Sequence, residues 1–535
     1  MTTALSLPAG PLSALLDNEA SDRLFSDRGV LGGLFEAYAY TRHRIQHLAR
    51  EIHRESGAVS FFLKAYDFSH GRPDVDRLFS EKKAIAALNS EYWQRTLALT
   101  DVYDCMPQSR RDEWDKAIRT NTTPDYNLDA VRPTIASLLS SRAQFFAERV
   151  DGIFRTLSRT HVTNLRSGFN TRMIVAGVID DYGFLNTTKA GYINDLRKVI
   201  AKFMGRDEPR HDASNCVLKL CQEVPGKWHP IDGGALRIRV YKVGTAHIEV
   251  HPDMAWRLNA VLAHLYPQAI PRGQRTAPKK PSKKYDLIQT PLPFAVLRLL
   301  DGCKGKTGDG HELTLPYLEC KESKASAQQL REVLEALGGV YVNDWTARFD
   351  YDASEAIKHV LLTGCLPERQ SHQFYPTPRL IAKELVRRAE LDDTCSCLEP
   401  SAGQGGIADL LPKDRTVCVE VSGLHCAVLK GKGFAVVNAD FLAWSAGRGP
   451  TFSRVLMNPP FSEGRARDHV LAAAGLVKPG GRLCAVVPAS LRGVDLLPGW
   501  ASEWSQVYQG EFQGTGAAVV IYVATRRSEA DGDNR

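Results

Sequence analysis

Short apolar runs in the last third of the chain are the clearest pattern in the sequence, and they predict buried β-strands. Residues 416–420, 434–437 and 454–457 are each of strand length and mostly apolar. In residues 379–391 the apolar positions instead recur every three or four residues, which favours an amphipathic helix. Strands that alternate with helices in this way predict an α/β domain over residues 371–527.

The pattern before residue 371 is different and predicts several regions. Helical spacing predominates up to about residue 165, whereas residues 236–241 alternate polar and apolar side chains as an antiparallel strand does. A turn at Gly244-Thr245 and a second alternating run over residues 247–250 complete a predicted hairpin. We therefore divide the chain into a helical segment (1–58), a helical plus α+β domain (59–266), a basic proline-rich linker (267–284), a small α/β module whose element order resembles a winged helix (285–370), the α/β domain (371–527) and a disordered tail (528–535).

Composition is that of an ordinary globular protein and excludes some classes. The 535 residues contain no apolar run long enough to span a bilayer, and the amino terminus lacks the charged segment and apolar core of a signal peptide. The eleven cysteines are scattered and form no Cys-x-x-Cys pair. We therefore expect reduced thiols, no metal site, no membrane contact and a cytoplasmic location.

The net charge of +7 is modest, but its distribution is uneven. Six basic residues and no acidic residue lie in the predicted linker, where they could contact nucleic-acid phosphates without reading sequence. A soluble interdomain tether explains them equally well. Arg237, Arg239 and Lys242 could likewise present a basic strand face to DNA, although a solvated hairpin face is the favoured interpretation. The linker residues are Arg272, Arg275, Lys279, Lys280, Lys283 and Lys284.

Asn458-Pro459-Pro460-Phe461 is the most informative tetrapeptide, because it directly follows the predicted strand 454–457. The Asn458 side-chain oxygen and the Pro459 carbonyl oxygen could accept hydrogen bonds from both hydrogens of an aromatic amine, which would make that nitrogen more nucleophilic. The prolines stiffen the loop, and Phe461 offers a flat face for a stacked nucleobase. Taken alone, the tetrapeptide could also be a simple proline turn.

A glycine-rich segment lies upstream, over residues 399–405, and also follows a predicted strand. Gly403 and Gly405 allow a ligand to approach the backbone closely at the carboxyl end of that strand. A helix over residues 407–411 is expected next. The following strand ends in Glu420, whose carboxylate could accept hydrogen bonds from both hydroxyls of a ribose. Glycine-rich turns and surface glutamates are common, so each feature also has a purely structural explanation.

In this order the segments resemble those of adenine-specific (N6) DNA methyltransferases of the gamma motif arrangement, in which a Tyr-Pro-Thr-Pro segment comes first and Asn-Pro-Pro-Phe last. The resemblance covers residues 371–527 and implies a Rossmann-like class I fold that binds S-adenosylmethionine (SAM). It assigns catalysis to Asn458, Pro459, Pro460 and Phe461, and cofactor binding to Tyr375, Pro376, Thr377, Glu399, Pro400, Ser401, Ala402, Gly403, Gly405, Glu420, Asp440 and Phe441.

The same resemblance gives the cofactor residues separate roles. Asp440 would accept a hydrogen bond from the adenine amine of SAM, Phe441 would pack against that ring, and residues 375–377 would close over the methionine end. The target adenine would be flipped out of double-stranded DNA to stack beside Phe461. Many family members carry tyrosine at the position of Phe461, but phenylalanine keeps the stacking face.

The region before the α/β domain resembles a domain of unknown function that is fused to such methyltransferases in phages, plasmids and bacterial mobile elements. The similarity lies in residues 168–172 and 244–250. In many relatives a target-recognition region follows the catalytic loop, but here nearly all the remaining residues are assigned to the sheet. A sequence reader is therefore expected before residue 370, and the winged-helix-like module is a candidate.

Several alternatives remain open. The acceptor could be a cytosine N4 amine, an RNA base or a protein glutamine, although cytosine-N4 enzymes more often carry serine in place of Asn458. A cytosine carbon-5 enzyme is disfavoured because no Pro-Cys dipeptide occurs. The chain could also be a non-catalytic DNA-binding or anti-restriction protein on the same scaffold. No nuclease motif is visible, so we expect a stand-alone methyltransferase that protects mobile DNA from restriction.

Overall fold

The computed structural model describes residues 31–65, 74–99, 102–157, 161, 163–165, 168–266, 270–277, 289–305, 311–366, 376–512 and 516–528. These residues form two compact units. Unit 1 comprises the described residues up to 229 and from 235 to 286. Unit 2 comprises residues 230–234 and the described residues from 287 onward.

Some predicted features lie outside the described residues. They are Tyr375, Lys279, Lys280, Lys283, Lys284 and nearly all of the predicted tail. The described part of the predicted linker contains a 3₁₀ turn (Arg272–Gln274) and the buried Ile270. Among the helices that the structure describes, none is both long and apolar enough to cross a membrane.

Unit 1 begins with helices, as its periodicity predicts. Trp93 is fully buried at their centre, with its ring 5.1 Å from that of Trp114 and 5.8 Å from that of Tyr126. The helix Ser56–Ala65 crosses the limit expected at residue 58. The helices are α1 (Gly32–Arg54), α2 (Ser56–Ala65), α3 (Val75–Leu78), α4 (Glu81–Leu99), α5 (Val102–Cys105), α6 (Gln108–Arg119), α7 (Leu128–Ser140), α8 (Arg142–Thr156), α9 (Thr187–Phe203), α10 (Ala213–Glu223) and α11 (Pro252–Leu265).

A four-stranded sheet also lies in this part of the chain, and it contains the predicted hairpin. Its strands are β1 (Arg172–Val175), β2 (His229–Ile231), β3 (Leu236–Val240) and β4 (Ala246–Val250), in the order β1-β4-β3-β2. Strands β3 and β4 alternate buried and half-buried residues, because one face packs on the core and the other does not. The alternation predicted for this hairpin is confirmed.

Unit 2 begins with the small α/β module. Its elements are α12 (Phe294–Asp301), β5 (Lys304–Gly305), β6 (Glu312–Thr314), α13 (Tyr317–Glu322), α14 (Lys324–Ala336), β7 (Val340–Asn343), β8 (Thr346–Arg348) and α15 (Ser354–Thr363), with the sheet order β5-β6-β8-β7. Residues 349–351 follow β8 without forming a strand, and the aromatic rings of Phe349 and Tyr351 are buried. Burial rather than strand pairing thus explains that apolar run.

A seven-stranded sheet forms the rest of unit 2, in the order β11-β10-β9-β12-β13-β15-β14. The first five strands in this order are parallel, and β15 is antiparallel to β13. Helices and strands alternate along the chain, as predicted. The elements are α16 (Arg379–Ala389), β9 (Cys397–Pro400), β10 (Thr416–Glu420), α17 (Gly423–Gly431), β11 (Ala435–Asn438), α18 (Phe441–Ser445), β12 (Phe452–Met457), α19 (Arg465–Ala474), β13 (Val477–Pro488), β14 (Ala501–Trp504) and β15 (Val519–Thr525).

This sheet is a Rossmann-like, doubly wound sheet, and its strand order locates a binding edge. The chain leaves β9 in one direction to form β10 and β11, and it continues from β12 in the other direction. The order therefore reverses between β9 and β12. In open α/β sheets ligands bind in the crevice at the carboxyl ends of the strands beside such a reversal.

Candidate active site

One cavity of about 1060 Å³ opens at the carboxyl edge of this sheet, at the expected position. It is lined by residues of the loops after β9, β10, β11 and β12 and by the segment before α16. Most of the predicted site residues line it: Pro376, Thr377, Glu399, Ser401, Ala402, Gly403, Glu420, Asp440, Phe441, Asn458, Pro459, Pro460 and Phe461. Pro400 and Gly405, also predicted to bind the cofactor, are not among the residues that line it.

The predicted catalytic loop is held by a residue of the segment before α16. Asn458 follows β12, and its Nδ2 donates a hydrogen bond to Thr377 Oγ1 at 3.1 Å. The oxygen of a side-chain amide is an acceptor with two lone pairs. Pro459 is buried, and Phe461 is half-buried against the core between α16 and the sheet. The contact therefore joins the Pro-Thr-Pro segment to the catalytic loop.

The glycine-rich loop takes up an unusual backbone conformation. Gly403 has φ +55° and Gly405 has φ +88°, and the non-glycine Ser401 between them and β9 has φ +59°. Glycine adopts positive φ without a steric penalty, whereas serine there costs free energy that the surrounding structure must supply. The loop can turn sharply enough at these positions to expose its backbone to the cavity.

The helix expected over residues 407–411 is not formed, and only a 3₁₀ turn, Ala408–Leu410, is present. Pro412 follows directly, and proline can neither donate the backbone hydrogen bond nor fit inside a continuing helix. The apolar residues Ile407 and Leu411 are nevertheless buried. Their apolar pattern therefore reflects core packing around a turn.

Glu420 lies at the end of β10, where its side chain is tied to the glycine-rich loop. Its Oε2 accepts a hydrogen bond from Gly403 N–H at 2.8 Å, and its Oε1 accepts one from Ser422 N–H at 2.7 Å. Burial alone would raise the pKa of Glu420, but hydrogen bonds from His425 and from these backbone groups outweigh it and hold the pKa below its usual value. Glu420 is thus a charged acceptor, and carboxylate oxygens have lone pairs for further donors.

Glu399 is a second acidic residue at the floor of the cavity, but its electrostatic state differs. It is 2% exposed, and its Oε2 has no hydrogen-bond partner among the described residues. Burial raises the pKa of Glu399 well above its usual value, and the neighbouring carboxylates Asp409 and Glu420 add to the effect. The site therefore combines a Glu420 carboxyl held toward its charged form with a Glu399 carboxyl that burial shifts toward its neutral form, and Glu399 Oε2 has no hydrogen-bond partner among the described residues.

Asp440 and Phe441 follow β11, and each also has a structural role. Asp440 caps α18 by accepting a hydrogen bond from Ala443 N–H at 2.9 Å through Oδ1. Phe441 is almost fully buried, with its ring centre 5.3 Å from that of His469. A helix cap uses one carboxylate oxygen, so Asp440 keeps acceptor capacity toward the cavity that it lines.

Sequence reasoning missed several residues of the cavity wall. Arg465 and His469 line it from α19, four residues apart and hence on one helix face. The His469 ring nitrogen Nδ1 lies 3.4 Å from Ser401 Oγ, and burial lowers the pKa of His469 below its usual value. The four-residue spacing of Arg465 and His469, just after the catalytic loop, was the sequence signal that could have identified them. His425 and Lys432 line the cavity as well.

The described basic residues of the predicted linker are not part of this cavity. Arg272 and Arg275 belong to unit 1, whereas every residue that lines the cavity belongs to unit 2. Within the described ranges, no group of three or more histidine, cysteine, aspartate or glutamate side chains is arranged to hold a metal ion.

The fold and site thus define a doubly wound α/β domain with a ligand cavity at its switch point, and comparisons with known proteins add to this. Residues 85–268 match the family model described as Domain of unknown function (DUF4942). A comparison with curated proteins found no match to the chain.

Solved structures similar to this chain include several methyltransferases. PH1948 of Pyrococcus horikoshii, a proposed RNA methyltransferase, is 19% identical, with coverage of 31% of this chain and 90% of that chain and a TM-score of 0.24. The N-methyltransferase NodS of Bradyrhizobium japonicum, solved with S-adenosyl-l-homocysteine, is 14% identical, with 28% and 86% covered and a TM-score of 0.24. Precorrin-6y C5,15-methyltransferase of Geobacter metallireducens is 16% identical, with 28% and 88% covered and a TM-score of 0.23.

Proposed function

We propose that the chain is a SAM-dependent methyltransferase that transfers a methyl group to the N6 amine of an adenine flipped out of DNA. The observation that carries this proposal is the arrangement around Asn458. Its amide is oriented by Thr377, and it faces the same cavity as the glycine-rich loop, Glu420 and Asp440.

The cavity fits the cofactor on two counts. Its volume of about 1060 Å³ is slightly above the usual range of about 300–1,000 Å³ for small-molecule sites, so a nucleoside cofactor leaves space for a second ring. The buried Oε2 of Glu399 lacks a partner among the described residues, and a polar ligand would satisfy it. SAM would supply a methyl group bonded to a sulfonium sulfur: as the amine nitrogen forms its bond to the methyl carbon, the carbon–sulfur bond breaks and S-adenosylhomocysteine leaves with that electron pair.

The residues of the chain then divide the work between binding and activation. Glu420 accepts hydrogen bonds from the ribose hydroxyls while Gly403 N–H keeps its carboxylate in place. Asp440 accepts from the adenine amine of the cofactor. At the other end, Asn458 Oδ1 and the Pro459 carbonyl oxygen accept from the two hydrogens of the target amine, and Phe461 stacks on the target base. The amine nitrogen gains the methyl group and loses one proton to water.

The choice of acceptor rests on the catalytic tetrapeptide. Asparagine at position 458 favours adenine over cytosine, for which related enzymes more often carry serine. Base flipping is required because the amine of a stacked, paired adenine cannot reach the cavity. The amine nitrogen attacks the methyl carbon directly, so no covalent intermediate with the enzyme is needed. Positioning of the two reactants then supplies most of the rate.

Mass spectrometry of nucleosides tests the proposal. DNA would be isolated from a methylation-deficient bacterial host that expresses either the wild type or Asn458→Ala, and calorimetry would measure SAM binding by each purified protein. We expect N6-methyladenine with the wild type alone and similar SAM affinity for both. N4-methylcytosine, or a modified base only in RNA, would reassign the acceptor. SAM binding without any product in DNA, RNA or protein would reject catalysis.

A further inference from the structure

The half-buried face of the sheet in unit 1 has an unusual set of side chains. Strand register places Arg172 and Arg237 on either side of Glu249, and it places Arg239 opposite His247. These side chains all point away from the apolar face of the sheet, on which Leu236, Ile238 and Val240 are buried. Three arginines and one histidine thus share a face with a single acidic residue.

Two aromatic rings lie among these cations. The Arg239 guanidinium carbon is 4.5 Å from the ring centre of Trp228 and 5.0 Å from that of Tyr241. Arg172 approaches the same Trp228 ring at 5.7 Å, and Tyr241 contacts the ring of His247 at 4.7 Å. Trp228 and Tyr241 are both half-buried. Planar guanidinium groups and aromatic rings therefore pack against one another on this face.

The charges on this face are not balanced within it. Glu249 is 12% exposed and pairs with Arg172 and, at 3.9 Å, with Arg237, which leaves the Arg239 charge uncompensated by that carboxylate. Arg239 Nε and His247 Nδ1 are shielded from solvent and make no hydrogen bond to a described residue. Burial and the nearby Arg239, Arg172 and His161 lower the pKa of His247, as expected in an electropositive environment.

A purely solvated hairpin face does not account for this arrangement. Solvated arginines extend into water, whereas Arg239 is held over two rings with a nitrogen that water does not reach. Arg172 and Arg237 remain accessible, with side chains 49% and 41% exposed. A ligand for this face is therefore expected to be anionic and to offer flat groups that stack on the accessible sides of the guanidinium and aromatic planes.

We propose that this face, formed by Arg172, Arg237, Arg239, Trp228 and Tyr241, binds a single-stranded nucleic acid. The arginines would contact phosphates, and the ring and guanidinium planes would stack with exposed bases. An acidic peptide would match the charge but would leave the aromatic rings without stacking partners. Duplex DNA would offer phosphates but no open base faces, because its bases are already stacked. The proposal concerns nucleic-acid binding by unit 1 and does not depend on methyl transfer.

Fluorescence anisotropy of the full-length protein with labelled 20-mers tests the proposal. Single-stranded DNA, single-stranded RNA and duplex DNA would be compared at several salt concentrations. The double variant Arg237→Gln/Arg239→Gln should bind single strands roughly tenfold more weakly. It should also reduce the salt slope by about 1.4, or about 0.7 for each phosphate that the protein no longer neutralises. The single strand that binds more tightly identifies the source, DNA or RNA.

A matched control removes the same charge elsewhere in unit 1. Lys116 and Arg119 are exposed on α6, and Lys116→Gln/Arg119→Gln should leave affinity and salt slope unchanged. Equal losses in both double variants, or no loss in either, would overturn the proposal. A loss confined to duplex DNA, or displacement of the strands by polyglutamate at equal charge, would overturn it as well.

A second variant isolates stacking from charge. Trp228→Leu keeps an apolar side chain but removes the ring, and it should weaken single-strand binding by about tenfold with the salt slope unchanged. Circular dichroism and the melting temperature of each variant show whether unit 1 remains folded. Wild-type affinity for both strands in folded Trp228→Leu would reject the stacking role. SAM affinity, measured in parallel, should be unaffected, so a failure here is distinct from a failure of the methyltransferase proposal.

Discussion

The two large sheets of this protein differ in the part that a ligand can reach, which is a face in unit 1 and the carboxyl edge in unit 2. The antiparallel sheet of unit 1 buries one face and leaves the other face, with its arginines and aromatic rings, half-buried. The parallel sheet of unit 2 buries both faces in apolar clusters, and its cavity opens at the carboxyl edge instead. Because crossover helices cover both sides of a parallel sheet, only its edges remain available to a ligand.

This difference determines which site a sequence can reveal. Edge residues follow directly after strands, so they appear as contiguous motifs such as Asn458 to Phe461. Face residues alternate along separate strands and come together only through register, as Arg172, Arg237 and Glu249 do. The first kind of site can be read along the chain, whereas the second kind needs the pairing of strands.

The largest expected effect that separates the two regions is on cofactor binding. Glu420→Ala removes a charged acceptor and the tether of Gly403 N–H, and we expect SAM affinity to fall by roughly 2 kcal/mol, or about 30-fold. Isothermal titration calorimetry measures this change. Asp414→Ala, on an exposed turn, is the matched control. If SAM affinity survives in Glu420→Ala, the assignment of the cavity edge to the cofactor is wrong.

A smaller effect would sharpen the role of the edge in catalysis. Thr377→Val removes the hydroxyl that orients Asn458, and we expect kcat to fall by about tenfold, or 1.4 kcal/mol, with SAM affinity and the KM for DNA nearly unchanged. Thr377→Ser keeps the hydroxyl and should restore most of the rate. Single-turnover kinetics with both variants separates the two cases. Equal rates for valine and serine at this position would show that Thr377 does not orient Asn458.

The third expected effect concerns the buried Glu399, whose contribution to the stability of the fold depends on pH. Burial raises the pKa of Glu399 in the folded state, so the folded chain retains a proton that the unfolded chain releases above its usual pKa of 4.5. The stability from this proton is complete below that pH and is lost as pH rises toward the folded pKa, at about 1.4 kcal/mol per unit for a full proton.

Glu399→Gln cannot ionise, so its stability should not show this loss. Measured by thermal denaturation between about pH 5 and pH 8, the stability of the variant relative to the wild type should increase with pH. Glu503→Gln, a change at an exposed glutamate, serves as the control. A constant difference across the pH range would contradict a neutral Glu399. His247, on the half-buried face of unit 1, contributes the opposite trend, because its lowered pKa in the folded state makes stability rise with pH, and this contribution is common to the wild type and the variant.

Much of unit 2 was predictable because local patterns and global fold agree there. The strands near residues 416–420 and 454–457 were placed correctly, since apolar strand residues are buried on both faces of a parallel sheet. The helix predicted after the glycine-rich loop was wrong, because apolar residues at 407 and 411 pack around a 3₁₀ turn before Pro412. A short apolar run does not distinguish a helix from a buried turn.

The sequence by itself determined the α/β character of the last third, the order of the loops that line the cavity and the residue types of the catalytic tetrapeptide. Only the tertiary structure decided that Glu420 binds the backbone of the glycine-rich loop, that Thr377 binds Asn458 and that Arg239 lies over Trp228. The physical reason is distance along the chain. Local pattern encodes strand, turn and burial, whereas these contacts join segments that meet only after the sheets have assembled.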